Sequence, residues 1–497
     1  DGGFKAILDQ PTADQPGGAH GTTPPPVFNV GFRFDEPAVN GDLDGMVADP
    51  LGSAGTRTVG AGHWREHAQA LALAARDITL MHADIDFAKI AAGTDDFSGV
   101  PRTGFISRLY SSRLNLGEGA KPERPMLLSP VQPYGVYVPA SYDGSTPAPL
   151  TLALHSLSCS YNQYAVFAPR LYQELGEERG AIVLTTEGRG PDGWYHDEAE
   201  YDLFEAWNDL AHRYAIDASR VTINGYSMGG YATWKIGSQY PDLFASGFAI
   251  VGPAGENIAH APTNGEVADP QGAIGILDNL RNVPVLAWHG TNDELVPVAG
   301  AVNVANRLRD LGYRHEVDFF PGYDHFLFSV LDRWGPGKAW LNAYPVVNRD
   351  PDHITYRVRP QMDNAALGLI HDHAYWLDDI RVAGDAPTGL VDAVSEARGN
   401  ADPTLSPIIP PVGTEPAPHV KSGLGEYGPG AGPQANKIRL RLDAVSALTV
   451  WLNRAGIDTT APFTIEVATN APVVVTLAGS NGTSTHPCST DCVISMP

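Results

Sequence analysis

The chain has 497 residues, more than one compact domain holds, so we expect two or three domains. No apolar run approaches the ~18–20 residues that span a bilayer, so a soluble protein without a membrane partner is expected. A net charge of −24 argues against nucleic acid as a partner.

The N-terminal quarter gives mixed signals. Residues 1–26 are rich in Gly, Pro, Thr and Asp, which favours a loose arm. Residues 27–130 combine strand-like and helical stretches, and we interpret them as a small accessory domain. The given sequence begins at Asp1, and no signal peptide is expected within it.

Residues 131–346 alternate short apolar runs with helical patterns. This alternation predicts βαβ units, and therefore an α/β fold with a mostly parallel sheet flanked by helices. Most of the strand candidates are continuously apolar, as expected for strands covered on both faces. The predicted strands are 134–138, 150–155, 181–186, 221–224, 248–251, 283–288 and 316–320, and the predicted helices are 163–177, 201–214, 231–239 and 302–311.

Residues 347–497 show strand patterns with almost no helix, which predicts a C-terminal β-sandwich. A Pro- and Gly-rich stretch at 386–434 is interpreted as one long loop within it. Cys488 and Cys492 are close enough in sequence to pair in an oxidising compartment, and Cys159 is expected to be a buried apolar side chain. The predicted strands are 353–358, 375–382, 437–442, 448–452, 463–467 and 473–477.

A candidate nucleophile lies in the motif Gly-Tyr-Ser-Met-Gly at 225–229. An apolar strand precedes the motif and a helical pattern follows it, which is the strand–turn–helix setting of a nucleophile elbow. The glycines two residues before and after Ser227 are needed because strand and helix approach closely at such a turn. We therefore predict that Ser227 is a catalytic nucleophile.

A serine nucleophile needs a base and an acid, which follow it in the order acid, then histidine. The strand 283–288 leads into Asp293 and Glu294, either of which is placed at a carboxyl end of the sheet. The next strand leads into His325, the histidine best placed to bridge serine and acid.

The remaining site residues are predicted by position. The backbone N–H groups of Met228, after the nucleophile, and of Leu157, after an early strand, are expected to form the oxyanion hole. Trp194, Tyr195 and Tyr226 are candidates for the substrate pocket. No metal is expected, because the alternating histidines at 371 and 373 lack an evident third ligand.

These motifs resemble the α/β-hydrolase superfamily, and in particular secreted bacterial prolyl-oligopeptidase-like hydrolases, feruloyl-type esterases and polyester depolymerases. The motifs are Leu-His-Ser-Leu-Ser at 154–158, Glu-Gly-Arg-Gly-Pro-Asp-Gly-Trp-Tyr at 187–195, Gly-Tyr-Ser-Met-Gly-Gly at 225–230, His-Gly-Thr-Asn-Asp at 289–293 and Gly-Tyr-Asp-His at 322–325. The resemblance implies an α/β-hydrolase core, a triad of Ser227, Asp293 and His325, and no cofactor.

Three functions follow as hypotheses. The first is a secreted, extracellular hydrolase of carboxylic esters, acting on a small-molecule or polymeric substrate such as a polyester. The second is a prolyl-oligopeptidase-like serine peptidase or amidase, although the residues before the core are too few for the propeller of true prolyl oligopeptidases. The third is a polymer-binding protein that uses the C-terminal β domain.

Overall fold

The computed structural model describes residues 88, 91–92, 102–117, 126–254, 271–480 and 482–497. The predicted arm and most of the predicted accessory domain lie outside these residues. The chain divides into two compact units, formed by Asp1–Asp217 with Phe328–Trp334 and by Ala218–Leu327 with Gly335–Pro497. In the ranges described, no helix is both long and apolar enough to cross a membrane.

Four strands of the first unit lie side by side in the order β1-β2-β4-β3. The first two pairs of neighbours are antiparallel, whereas β3 and β4 are parallel. Every residue of β4 is buried and β3 is almost as apolar, in agreement with the predicted two-sided burial. The strands are β1 (Gly104–Ser111), β2 (Val131–Val138), β3 (Ala148–Leu154) and β4 (Ile182–Thr186).

The helices of the first unit differ from prediction in one place. The helix predicted at 163–177 is divided into α1 (Gln163–Phe167) and a π-helical turn (Tyr172–Gly176). Ala168 between them has φ −146° and ψ 60°, because the proline that follows it disfavours helical backbone. The second helix, α2 (Glu198–Arg213), has acidic residues in its first turn and basic residues in its last, which suits the helix dipole.

The second unit contains a run of four parallel strands in the order β5-β6-β7-β8. Their carboxyl ends meet at one edge, where α/β sheets place their sites. The strands are β5 (Ile216–Tyr226), whose first two residues belong to the first unit, β6 (Ser246–Ile250), β7 (Val285–Gly290) and β8 (His315–Phe320). The helices that follow in this unit are α3 (Met228–Gln239), α4 (Val298–Leu311) and α6 (Gly335–Ala343), whereas α5 (Leu327–Leu331) belongs to the first unit except for Leu327.

The C-terminal part of the second unit is a β-sandwich, as predicted. One sheet has the order β10-β16-β18-β19 and the other β20-β17-β15-β11-β9. Buried side chains from both sheets form one hydrophobic cluster that includes Leu448 of one sheet and Leu440 of the other. Cys488 and Cys492 are joined as a disulfide, with Cα atoms 5.9 Å apart. The strands are β9 (His353–Val358), β10 (Leu377–Val382), β11 (Gly389–Ser395), β15 (Lys437–Asp443), β16 (Val445–Trp451), β17 (Phe463–Thr469), β18 (Val473–Gly479), β19 (Gly482–Cys488) and β20 (Cys492–Met496).

The prediction of one long loop at 386–434 is wrong. This stretch forms β11 together with β12 (Asn400–Pro407), β13 (Val412–Gly413) and β14 (His419–Ala431). Strand β14 pairs antiparallel with β8 and β12 pairs with β14, so the sheet of the second unit continues into the C-terminal region. Both added strands are largely exposed, so they lack the apolar alternation that identifies a strand in sequence.

Candidate active site

The predicted nucleophile lies in the turn between β5 and α3. Ser227 has φ 55° and ψ −112°, a conformation that costs strain for a non-glycine residue. Its N–H donates to the Ile250 carbonyl at 2.8 Å, and its own carbonyl accepts from the Tyr231 N–H at 2.9 Å. A Cβ atom at Gly225 would collide with the backbone of Gly229. The turn therefore requires glycine where the sequence has it.

The second unit brings the serine, histidine and acid together. His325 Nε2 lies 2.9 Å from Ser227 Oγ, and His325 Nδ1 lies 2.8 Å from Asp293 Oδ2. The imidazole is 3 % exposed and the carboxylate side chain is fully buried. In the neutral imidazole, Nδ1–H donates to the carboxylate and Nε2 accepts from the serine hydroxyl. This geometry lets His325 remove the hydroxyl proton.

The structure distinguishes the two candidate acids. Asp293 Oδ1 accepts hydrogen bonds from the N–H groups of Leu295 at 3.0 Å and Val296 at 2.7 Å, which leaves Oδ2 for the imidazole. Glu294 contacts only the backbone of His325, whose N–H lies 3.4 Å from Glu294 Oε2. The partner of the imidazole is therefore Asp293, as the family pattern implied.

Tyr226 lies beneath the histidine. It is 4 % exposed, its hydroxyl donates to the backbone carbonyl of His325, and its ring meets the imidazole edge-on at 5.9 Å. Sequence reasoning placed Tyr226 in the substrate pocket, but the structure gives it a contact that holds His325. No sequence pattern at Tyr226, directly before the serine, predicts this contact with His325.

The two predicted oxyanion donors belong to different units. Met228 is the first residue of α3, where helix N–H groups lack intrahelical acceptors. Leu157 lies in the turn after β3 of the first unit. In that turn the Ser156 N–H donates to Gln163 Oε1 at 2.6 Å, and the Gln163 amide donates to Ser156 Oγ at 3.0 Å. These bonds hold Ser156 in place, and the oxyanion assignment stays a prediction.

Tyr195 does not form an exposed wall, so its assignment to the pocket is corrected. It is fully buried in the first unit, and its hydroxyl accepts a hydrogen bond from the His155 N–H at 2.9 Å. A side chain without exposed surface has no face to offer a substrate. Trp194 is half-buried and remains a pocket candidate.

The first unit contains a buried charged cluster that no sequence motif predicted. Arg189 is fully buried, donates to the carbonyl of Ser129 at 3.2 Å and lies 3.9 Å from Asp202. Burial raises the pKa of Asp202 to about 6, although the Arg189 charge opposes that shift. Because the arginine is enclosed, this cluster is a structural support for the loop after β4.

The histidines at 371 and 373 serve different purposes. His371 is buried, its Nε2 accepts from the Gln239 amide at 2.9 Å, and its Nδ1 lies 2.9 Å from Asp363 Oδ1. It thus ties the end of α3 to the C-terminal region. His373, Asp372 and Asp378 each bring one ligand atom within 4.8 Å of the others at the surface, an arrangement common among solvated acidic groups.

Residues 173–333 match the Prolyl oligopeptidase family. Together with the parallel sheet and the Ser227 turn, this match decides the superfamily. The chain contains an α/β-hydrolase domain of the serine-hydrolase type. The family match covers about a third of the chain, and the β-rich C-terminal region is additional to this domain.

The hydrolase is similar to both peptidases and ester hydrolases. It is 24 % identical over 220 residues to dipeptidyl peptidase 4 of Bos taurus, which covers 39 % of this chain but only 29 % of that protein. It is 26 % identical over 196 residues to a putative carboxymethylenebutenolidase of Salmonella typhimurium, covering 36 % of this chain and 67 % of the relative.

Solved structures that resemble the hydrolase include an S-formylglutathione hydrolase from Agrobacterium tumefaciens. The TM-score is 0.39 at 16 % identity, and the alignment covers 49 % of this chain and 97 % of the other. A ferulic acid esterase gives a TM-score of 0.38 at 17 % identity, covering 49 % of this chain and 98 % of the other.

Proposed function

We propose that the hydrolase cleaves carboxylic esters through a covalent acyl-enzyme on Ser227. The observation that carries this proposal is the chain of two contacts, 2.9 Å from Ser227 Oγ to His325 Nε2 and 2.8 Å from His325 Nδ1 to Asp293 Oδ2. A serine hydroxyl becomes a competent nucleophile when a base in hydrogen-bond reach takes its proton, and a third group orients that base.

The reaction then runs in two halves. Ser227 Oγ attacks the ester carbonyl carbon while its proton passes to His325 Nε2, and the tetrahedral intermediate collapses by breaking the bond to the alkoxide. The imidazolium gives its proton to that alkoxide, so an alcohol leaves. His325 next takes a proton from water, which attacks the acyl carbon. The second tetrahedral intermediate collapses by breaking the bond to Ser227 Oγ, which takes the proton back from His325 as the acid leaves.

Electrostatic stabilisation comes from two directions in this proposal. The Asp293 carboxylate orients His325 and stabilises the imidazolium that forms on it. The Met228 N–H, at the start of the 12-residue helix α3, is a donor to the oxyanion. The second donor is proposed to be the Leu157 N–H.

Preference for esters rests on the relatives. The match to the putative carboxymethylenebutenolidase covers 67 % of that protein, whereas the match to dipeptidyl peptidase 4 covers 29 % of it. The shared region thus accounts for most of one relative and a minor part of the other. We propose a small-molecule or polymeric ester as the substrate.

A serine peptidase or amidase is the second candidate, because residues 173–333 match the Prolyl oligopeptidase family. The same three side chains would serve amide cleavage, with an amine as the leaving group. The two candidate functions therefore differ in how the substrate is bound around the triad and not in the triad itself.

A substrate panel separates these candidates. Purified hydrolase and S227A are assayed on p-nitrophenyl esters of increasing acyl length and on peptide p-nitroanilides. We expect ester turnover by the wild type and a loss in S227A of several orders of magnitude in kcat, because the triad acts as a unit. Turnover of the anilides alone would overturn the ester proposal, and equal activity of S227A would overturn the site.

Polymer binding and an extracellular location are further parts of the proposal. The Cys488–Cys492 disulfide supports an oxidising compartment. Since β14 pairs with β8 of the catalytic sheet, binding is best tested with the full chain. S227A is incubated with an insoluble polyester and sedimented, and recovery of the protein in the supernatant alone would contradict polymer binding.

A further inference from the structure

His289 is a second histidine close to the candidate acid. It lies near the end of β7 and is 2 % exposed. Its Nε2 lies 2.8 Å from the Val296 carbonyl oxygen, so in the neutral ring Nε2–H donates to that carbonyl. The contact joins the two ends of the segment 289–296, which carries Asp293.

Hydrogen bonds within the segment 289–296 also hold its conformation. The N–H groups of Leu295 and Val296 both donate to Asp293 Oδ1. His289 Nε2 lies 3.7 Å from the other carboxylate oxygen, Oδ2, which is the atom that contacts His325. The position of Oδ2 therefore depends on a backbone that His289 closes.

The same segment is joined to the loop that carries His325. The Asn292 N–H donates to the Tyr323 carbonyl at 2.9 Å, and the Thr291 N–H donates to the Phe320 carbonyl at 3.0 Å. A Cβ atom at Gly290 would collide with the Tyr323 carbonyl, so the two segments are packed without a gap. A change in the first segment is consequently transmitted to the second.

We propose that His289 is a positioning residue of the triad, whose neutral imidazole closes the 289–296 segment and holds Asp293 Oδ2 against His325 Nδ1. This inference rests on the proposed function, since it concerns the same serine, histidine and acid. His289 makes no contact with Ser227 in this role and acts only through Asp293.

The charge state of His289 supports this role. Burial lowers its pKa, and the nearby charge of Asp293 opposes the shift while His325 adds to it. A neutral His289 donates to Val296 without competing for the carboxylate. A protonated His289 would be a second cation beside Asp293 and would weaken the stabilisation of the His325 imidazolium.

Two variants of the same chemical type test the proposal. H289Q retains an N–H donor at about the reach of Nε2, whereas H289N carries the same amide one methylene shorter. With p-nitrophenyl butyrate we expect H289Q to stay within about threefold of the wild-type kcat. H289N is expected to lose about 10- to 100-fold in kcat with little change in KM, as for loss of one buried hydrogen bond.

The pH profile of kcat/KM distinguishes positioning from a loss of folded protein. Its acidic limb reports protonation of the base in the free enzyme. Because H289N loosens the carboxylate beside the base, we expect this limb to move relative to that of the wild type. A reduced folded fraction would lower the whole profile without moving the limb.

Labelling by a fluorophosphonate provides a substrate-independent readout of Ser227 activation. The proposed function fails if the wild type is not labelled, or if S227A is labelled equally. The positioning role fails, with the proposed function intact, if H289N is labelled at the wild-type rate and keeps the wild-type limb. It also fails if H289Q is as impaired as H289N.

Discussion

The hydroxyl of Tyr226 donates a hydrogen bond to the backbone carbonyl of His325. The residue directly before the candidate nucleophile therefore holds the candidate base, and its ring meets the imidazole edge-on at 89°. Because Tyr226 ends β5 and Ser227 follows it directly, adjacent residues position both partners of the proton transfer. His325 follows a loop, and this contact ties that loop to the sheet.

Removing the Tyr226 hydroxyl should slow the chemical step. In Y226F the ring still packs against His325, but the carbonyl loses its donor. We expect kcat to fall about 3- to 10-fold with KM nearly unchanged, in line with the net value of one hydrogen bond. Steady-state kinetics on a p-nitrophenyl ester measure this effect, and a large rise in KM instead would indicate that Tyr226 contacts substrate.

The two neighbouring carboxylates give a matched pair of variants. D293N loses the charge that orients and stabilises the imidazolium, and we expect kcat to fall by about 10³- to 10⁴-fold. E294Q keeps an acceptor for the His325 N–H, and we expect a change below about threefold. Equal losses in both variants would contradict the assignment of Asp293.

The predictable parts of the fold were those with a strong local pattern. The strands β4 and β7 are buried along their whole length, and the loops after β7 and β8 carry Asp293 and His325. Chain order and the glycine pair around Ser227 indicated Ser227 and His325, whereas Asp293 was preferred to Glu294 through the family resemblance. These features are local, so the sequence alone contains them.

The features that were not predicted from the sequence depend on contacts between distant segments. Strand β14 is recognisable only by its pairing with β8, since its own side chains are largely exposed. The Tyr226 hydroxyl and the His325 carbonyl are 99 positions apart, and His289 meets the Val296 carbonyl through the curvature of a loop. Side-chain burial also separated Tyr195 from Trp194, although the two residues are adjacent in sequence.

A histidine between two carboxylates predicts pH-dependent stability. His353 Nδ1 lies 2.8 Å from Asp402 Oδ2, and its Nε2 lies 2.8 Å from Asp392 Oδ1. Burial alone lowers the pKa of His353, but the hydrogen bonds to Asp392 and Asp402 outweigh it and leave this pKa raised. The bonds to His353 and Thr355 and the Arg281 charge lower the pKa of Asp392 to about 2 despite its burial.

The contribution of His353 to stability depends on pH through the linkage between proton binding and folding. The folded-state pKa of His353 lies above its unfolded value of about 6.5, so its contribution is complete below that value and is lost as pH rises through the folded pKa. H353Q should therefore lower the free energy of unfolding by about 1–2 kcal/mol near pH 5.5 and by much less at pH 9. Urea unfolding at both pH values measures this, and a loss independent of pH would contradict a charged His353.

Asp318 is a buried aspartate on β8. Unlike replacement of His353, its replacement by asparagine is expected to stabilise the protein. Asp318 is 1 % exposed, and His419 Nε2 on β14 lies 3.6 Å from its Oδ2. Burial and then the Glu316 charge raise the pKa of Asp318, while the charge of Lys421 opposes them. Burial lowers the pKa of His419 and favours its neutral form, although the hydrogen bond from its Nδ1–H to the Ala417 carbonyl at 2.8 Å opposes that shift.

A raised aspartate pKa means that the folded protein binds this proton more tightly than the unfolded chain. Stability is complete below the unfolded pKa and declines as pH rises towards the folded one. D318N keeps the neutral, hydrogen-bonding form at every pH, so we expect its Tm to exceed that of the wild type at pH 8–9 and to match it near pH 4. Differential scanning calorimetry across this range tests the expectation, with E316Q as the control for the neighbouring charge. A lower Tm for D318N at pH 9 would mean that Asp318 is ionised in the folded protein and paired with a protonated His419.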